Sequence, residues 1–458
     1  MSRFKQLGKR AIVVGAGIGG LAAARVLSDQ FAEVLLLERD PPYASRKGAP
    51  QVDHIHILLR KGVEILEELF PGVLEQMENE GIEAIDFGRD QRWIQYGAWL
   101  CREPTDIRLY PQTRRSLEGF LRRYLDAYRN VEIRSEKTVR ELLASPDRGR
   151  VTGVRVTSPG DSRREDITAD LVIDASGRSG KFRQWLDALG YDPPEETRLP
   201  IDLRYATRMY QAPAEPPGDW RGLWVSPLSP RIPRGGALQY VEDNRWVVSL
   251  FGYHGDHPQP TDDGFEAFAK TLIHPSLYET IKNARPLGET STFRVPYQRW
   301  SHLERIKRFP DGFLVLGDAY CNFDPVFGQG MTVALLEAQL LRQRLQKLEH
   351  SGQITADWAR RYFRECCGWI RGLWYFVNAE ALRHPKTPGK RTWLVRLLQW
   401  YVSNVYGLSS IYPDVYVRFL QLTHLRAGPE VLLSPRILSR LAMRVWRQRA
   451  TRLGKTAP

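Results

Sequence analysis

The chain has 458 residues, 42% hydrophobic and 26% charged, a balance that allows two or three globular domains with a sizeable core. Its four cysteines (Cys101, Cys321, Cys366, Cys367) form no Cys-x-x-Cys pair, and no stretch reaches ~18 apolar residues; a disulfide framework, a zinc site and a spanning helix are therefore not expected. Net charge is +13, but Leu382 to Pro458 alone carries fourteen Lys and Arg against Asp414 and Glu430, so a near-neutral body with a basic tail argues against nucleic acid as a partner.

The N-terminal MSRFKQLGKR has no apolar core or cleavage site of a secretory signal, so a cytoplasmic protein is expected. AIVV (11–14) predicts a buried strand, GAGIGG a turn, LAAARVLSDQ a helix and EVLLLERD a second strand. That is the opening β–turn–helix–β unit of a dinucleotide fold. Apolar residues at helical spacing from Val63 to Met77 predict a helix over 60–80. Residues 86–110 read as strands, TRRSLEGFLRRYLDAY as an amphipathic helix, and 131–177 as three strand candidates. Alternation in GALQYVEDNRWVVSLFGY and STFRVPYQRW predicts an antiparallel sheet across 181–292, with helices near 264–273 and 276–284. GFLVLGDAY is a buried strand, and a long helix begins at GQGM. Helices follow over 355–382, 391–406 and 434–450.

Two glycine motifs and one acidic turn carry the chemistry. In Gly15-Ala16-Gly17-x-x-Gly20, Gly15 serves the tight turn, Gly17 the approach of a diphosphate, and Gly20 the close packing of helix on strand. Glu38, with Arg39 beside it, ends the second strand, where a carboxylate can accept from ribose hydroxyls and would repel a 2′-phosphate. Gly317-Asp318, followed by Pro325, Gly328, Gly330 and Met331, ends a strand and opens a helix. Asp318 suits a ribityl hydroxyl, and the helix N-terminus suits the O2 side of a flavin; alone, the same residues read as a helix cap with loop glycines. Asp174, in Asp174-Ala175-Ser176-Gly177-Arg178, is the third candidate, though such a run is also a plain turn.

Together these motifs resemble the para-hydroxybenzoate-hydroxylase type of flavoprotein monooxygenase, the group A enzymes, over nearly the whole chain. Arg114 aligns with that family's flavin-contacting arginine, with Arg115 one register away. Ala175 stands where the family has glycine. Arg46-Lys47-Gly48-Ala49-Pro50-Gln51 with His54-Ile55-His56, and the run FDPVFGQGM, resemble bacterial flavin epoxidases of the polyether-antibiotic type. Trp93 and Trp99 do not form the WxWxIP motif of halogenases.

The resemblance implies an α/β fold: a discontinuous Rossmann-like FAD-binding domain (1–85, 111–180, 293–350), an inserted antiparallel β-sheet substrate domain (86–110, 181–292) and a helical, basic C-terminal region (351–458). It implies FAD as cofactor, NAD(P)H as reductant and O2 as co-substrate, with oxygen delivered from a flavin C4a-hydroperoxide. Epoxidation of an alkene needs no protein base, whereas a phenol gains from one; the sequence shows no obvious base and leans toward epoxidation. His54 and His56 are the catalytic candidates, with structural histidines as the alternative. Arg46 would meet the FAD diphosphate or the nicotinamide cofactor, or be a solvated loop residue. No metal site is expected. Trp220, Trp224, Tyr240, Trp246, Phe251 and Tyr253 suit a lipophilic substrate: a polyene, a terpenoid or an aromatic. A reductase of isoprenoid double bonds and a redox-neutral flavin-binding protein are the competing readings. The stripe Leu394, Leu397, Leu398, Tyr401, Val402 and Val405, with Arg436, Arg440, Arg444 and Arg447, makes the tail a candidate for peripheral membrane contact; a helix packed on the body with solvated charges is the alternative.

Overall fold

In the computed structural model, residues 7–41, 54–160, 163–348 and 353–452 are described. A five-stranded parallel sheet holds β1 (Gly8–Val14), β2 (Phe31–Leu37), β3 (Val131–Arg134), β4 (Leu171–Asp174) and β5 (Phe313–Val315), in the order β5-β4-β1-β2-β3. Ala11–Val14, Val34–Leu37 and all of β4 are buried, the continuous apolar pattern of a sheet covered on both faces. The cover includes α1 (Ile18–Ser28), α2 (Arg114–Asp126) and α3 (Gly330–Gln346). The strands come from three separated stretches of chain, so this domain is discontinuous, as expected.

The second sheet has eight strands, in the order Cys321–Asn322, Ser291–Ser301, Glu196–Gln211, Arg245–Tyr253, Arg234–Val241, Gly222–Val225, Gln91–Gln95, Ala98–Trp99. The long strand Glu196–Gln211 is not legible in the sequence because Pro200 interrupts it. The register with Ser291–Ser301 shifts between Pro200 and Leu203, and at such an irregularity a missing N–H is tolerated. The strand expected at STFRVPYQRW runs Ser291–Ser301 in this sheet, past the domain boundary drawn at 292. The helix expected over 60–80 is two, Arg60–Leu69 and Val73–Asn79. Pro71 and Gly72 break it, and Gly72 adopts φ +82°.

Four helices end the chain: α4 (Ala356–Ala381), α5 (Trp393–Ser409), α6 (Pro413–Thr423) and α7 (Pro435–Arg452). α6 is an addition to the sequence expectation. α4 joins the core of the parallel-sheet domain through Trp358, Phe363, Ile370 and Val377. Val405, Tyr406, Tyr416 and Leu420 of α5 and α6 instead pack on Val63, Phe87, Ile107 and Leu109. Among the described residues, no helix is long and apolar enough to cross a membrane.

Candidate active site

A cavity of about 1190 Å³ runs between the two sheets and under the C-terminal helices. Single small-molecule pockets span roughly 300–1,000 Å³, so this one has room for a cofactor and a substrate together. Its first end is the turn between β1 and α1. Gly15 holds φ +98°, and a Cβ there would lie 2.7 Å from the Ala175 carbonyl oxygen. A Cβ on Gly20 would lie 1.8 Å from the Gly15 carbonyl oxygen, so only glycine lets α1 begin this close to the turn. Gly17 is the N-cap of α1, has no side chain to satisfy the free N–H groups, and lines the cavity. Ala16 and Gly20 lie behind the wall.

Arg114 faces Gly17: a Cβ on Gly17 would stand 3.3 Å from Arg114 Nη2. Thr113 caps α2 by accepting the Ser116 N–H, and is itself held by Glu242, in the turn between the strands Arg234–Val241 and Arg245–Tyr253, 2.9 Å from its backbone N–H. That cap makes Arg114 the first helical residue, and the Glu118 carboxylate 2.9 Å away aims its guanidinium. Arg114 lines the cavity and Arg115 does not. A helix N-terminus and a guanidinium at one point form a cradle for an anion. Nearby, the buried Glu38 accepts from the Ala16 N–H (2.9 Å) and the Asp40 N–H (3.1 Å). Arg39 also lines the cavity, with Nε 3.8 Å from Asp40.

Asp174 is displaced from its expected role. It is fully buried behind the wall, accepts from the Ser176 N–H at 3.0 Å, and burial pushes its carboxyl above the usual range. It shapes the loop whose Ala175, Ser176, Gly177 and Arg178 do line the cavity. Arg46 lies outside the described residues.

The second motif flanks the cavity from β5. Asp318 lines it, 3.8 Å from Arg178, as do Pro325, Gly328, Gly330 and Met331 at the start of α3. Sequence reasoning missed Glu337. This residue is fully buried on α3, accepts the Gly317 N–H at 2.5 Å, and is pushed up to about 8 by burial, despite that bond. It therefore stays largely protonated at neutral pH and clamps the Gly317-Asp318 turn. The signal was present: Val333, Glu337 and Leu341 repeat every four residues, placing an acid within the apolar stripe of α3.

At the other end the wall is made of side chains. Trp224, Phe251 and Tyr253 line the cavity, whereas Trp220, Tyr240 and Trp246 belong to the core of the second sheet. His54 also lines it, its ring centroid 5.6 Å from Tyr205 and 5.8 Å from Phe293. Its Nδ1 lies 2.6 Å from Thr207 Oγ1, which lies 2.5 Å from Ser249 Oγ; Ser249 accepts the Ile55 N–H. Burial pulls His54 down to about 4, so the ring is neutral at pH 7. Its Nε2 is buried and has no hydrogen-bond partner among the described residues. Such an orphan costs about 1–3 kcal/mol and calls for a partner that binds. His56 donates from Nδ1 to the His54 carbonyl (2.6 Å); burial and then Arg114 bring it down to about 3. A further pair, also missed in the sequence, is Asp324 and Tyr253: the phenol donates to the carboxylate at 2.9 Å, and burial raises the acid to about 6.

The turn at Gly15, the anion cradle at Gly17 and Arg114, the acid ending β2 and the glycine-led helix at Gly330 define a dinucleotide-binding oxidoreductase fold of the flavoprotein class. The chain belongs to the FAD binding domain family, whose pattern matches residues 9–366, and within it to the group A flavin monooxygenase type. FAD is its cofactor. It is 35% identical to Protein Rv3254 of Mycobacterium tuberculosis over 76% of this chain and 75% of that protein. It is 26% identical to the squalene epoxidase of Schizosaccharomyces pombe over 72% of this chain and 67% of that protein. In three dimensions it is similar to PqsL, a probable FAD-dependent monooxygenase from Pseudomonas aeruginosa, with TM-score 0.62 and 16% identity over 82% of this chain and 96% of that one.

Proposed function

We propose that this protein uses NAD(P)H and O2 to place one oxygen atom on a lipophilic polyene, terpenoid or aromatic, by epoxidation or hydroxylation. The observation that carries this is the single cavity, glycine turns and an anion cradle at one end and Trp224, Phe251, Tyr205 and Phe293 at the other. Bound FAD supplies hydride acceptance and O2 activation. The chain supplies the rest. The α1 N-terminus and Arg114 would hold the diphosphate, Glu38 the adenosine ribose, and Asp318 the ribityl chain. The α3 N-terminus, which lines the cavity, would stabilise negative charge on the bound flavin, and the aromatic wall would exclude water.

His54 is the proton-handling residue in this reading. Thr207 Oγ1 can donate to His54 Nδ1 or accept from it, and Ser249 Oγ, which also accepts the Ile55 N–H, lies behind Thr207. In one direction His54 Nε2 is an acceptor; in the other it carries the proton and donates. The two states are neutral tautomers; a proton that Nε2 takes from a substrate stays on the imidazole, because the chain ends at Ser249, whose further partner is the Ile55 N–H donor. This removes the absence of a base as an argument for epoxidation. The lean toward epoxidation then rests on the epoxidase-like run through His54 and His56 and on the squalene epoxidase relative.

The test is anaerobic reduction by NADH or NADPH, followed by labelled O2 and lipophilic candidates. One labelled oxygen in the product supports the proposal. Saturated product formed without O2 overturns it in favour of double-bond reduction. Flavin that no nicotinamide donor reduces, with every candidate present, overturns it in favour of redox-neutral chemistry. Peripheral contact of the basic tail with a membrane belongs to the same reading, as the place where a lipophilic substrate is met.

A further inference from the structure

Among the described residues, the exposed large apolar side chains all fall between Tyr375 and Trp446: Tyr375 on α4, Trp393, Leu394, Leu397 and Trp400 on α5, Ile411, Leu433, and Leu438, Met443 and Trp446 on α7. Exposed apolar residues scattered singly need no explanation, but ten confined to one region of the chain do. On α5 they follow helical spacing, with Trp393, Leu397 and Trp400 on one stripe and Leu394 beside it. On α7, Ile437 and Leu441 are buried, so Leu438, Met443 and Trp446 occupy the side a solvated helix would fill with charge.

The stripe expected from the sequence is divided. Leu398, Tyr401, Val402 and Val405 line the cavity, while Leu394 and Leu397 are exposed. One helix therefore separates the cavity from the outer apolar face. Tyr375 and Leu433 belong to both: they line the cavity and stand exposed, so the cavity reaches the surface within this region.

We propose that α5 and α7 dock this face on an anionic lipid bilayer, with the cavity mouth at Tyr375 and Leu433 open to the lipid. Charge chooses the occupant. Between Tyr375 and Trp446 the sequence carries ten Lys and Arg against three acids, and Lys390, Arg396, Arg418 and Arg436 are exposed. A second copy of the chain would bring like charge against like charge, whereas anionic headgroups neutralise it. Tryptophan flanked by cations is the composition that rests at headgroup depth. A lipophilic substrate, which this inference takes from the proposed function, then passes from bilayer to cavity without crossing water.

The test is sedimentation of the flavin-loaded protein with vesicles of phosphatidylcholine, alone or mixed with phosphatidylglycerol. Binding to the mixed vesicles at least about tenfold tighter than to the neutral ones, and weakened by salt, is expected. The triple variant Trp393→Glu, Leu397→Glu, Trp446→Glu should lose that binding at least about tenfold while keeping its flavin. Absence of binding to anionic vesicles at low salt overturns the proposal. So does binding that survives in the triple variant, and so does a dimer, broken by the same substitutions, that forms in place of vesicle binding. Reduction of the flavin by NAD(P)H in the same samples reports on the monooxygenase reading separately.

Discussion

The two ends of the cavity are built differently. At the nucleotide end the decisive contacts are backbone ones: the Gly15 turn against Ala175, α1 starting against the Gly15 carbonyl, and α1 presenting free N–H groups beside Arg114. Side chains are largely excluded there, so the site leaves a short glycine signature. At the substrate end the wall comes from side chains at positions 54, 205, 253 and 324, with Thr207 and Ser249 buried behind His54; strand pairing joins 205, 207, 249 and 253, and side-chain hydrogen bonds tie the loop residues 54 and 324 to them. A backbone site tolerates almost no substitution at a few positions; a side-chain site can be rebuilt many ways.

Substitutions that should affect one end alone test that contrast. The largest effect is expected for Gly20→Val, whose Cβ would meet the Gly15 carbonyl oxygen at 1.8 Å. A loss above about 4 kcal/mol is expected, read as insoluble or flavin-free protein; a soluble, yellow variant would break the account of a backbone-built site. Next is His54→Ala. A fall of roughly 10²–10⁴-fold in turnover, with flavin content unchanged, is expected if His54 handles a proton. Thr207→Val should reproduce part of it, because the hydrogen bond that orients the His54 ring through Nδ1 is lost. Normal turnover in His54→Ala would reduce the histidine to packing.

Asp318→Ala should weaken FAD by roughly 10–100-fold, the worth of one charge-assisted hydrogen bond; fluorescence titration of the apoprotein measures it, and unchanged affinity would remove Asp318 from the ribityl contact. The smallest effect concerns Glu337. Its carboxyl titrates near 8 when folded and near 4.5 as a free side chain. The folded state then holds the extra proton between these values, so stability is fully present below about 4.5 and declines as pH rises toward 8. Glu337→Gln keeps an acceptor for the Gly317 N–H and cannot ionise. Its melting temperature should fall less between pH 5 and pH 8 than that of the parent protein; identical slopes would show that Glu337 is not the titrating group.

Much of the nucleotide end is legible in the sequence because its constraints are local. A turn without room for a Cβ, a helix start and a strand-ending acid all fall between Ala11 and Glu38, and the second glycine run confirms the cofactor between Gly317 and Met331. The tertiary structure decided what depends on direction. It chose Arg114 over Arg115, because the Thr113 cap sets the helix phase. It moved Asp174 behind the wall and brought Glu337 under Gly317, since burial is a property of packing rather than of residue type. It joined His54 to Thr207 and Ser249 across strands far apart in the chain, a contact no local pattern records. It also divided the apolar stripe of α5 between cavity and surface: helical periodicity tells which residues share a face, and only the neighbouring elements determine what that face meets.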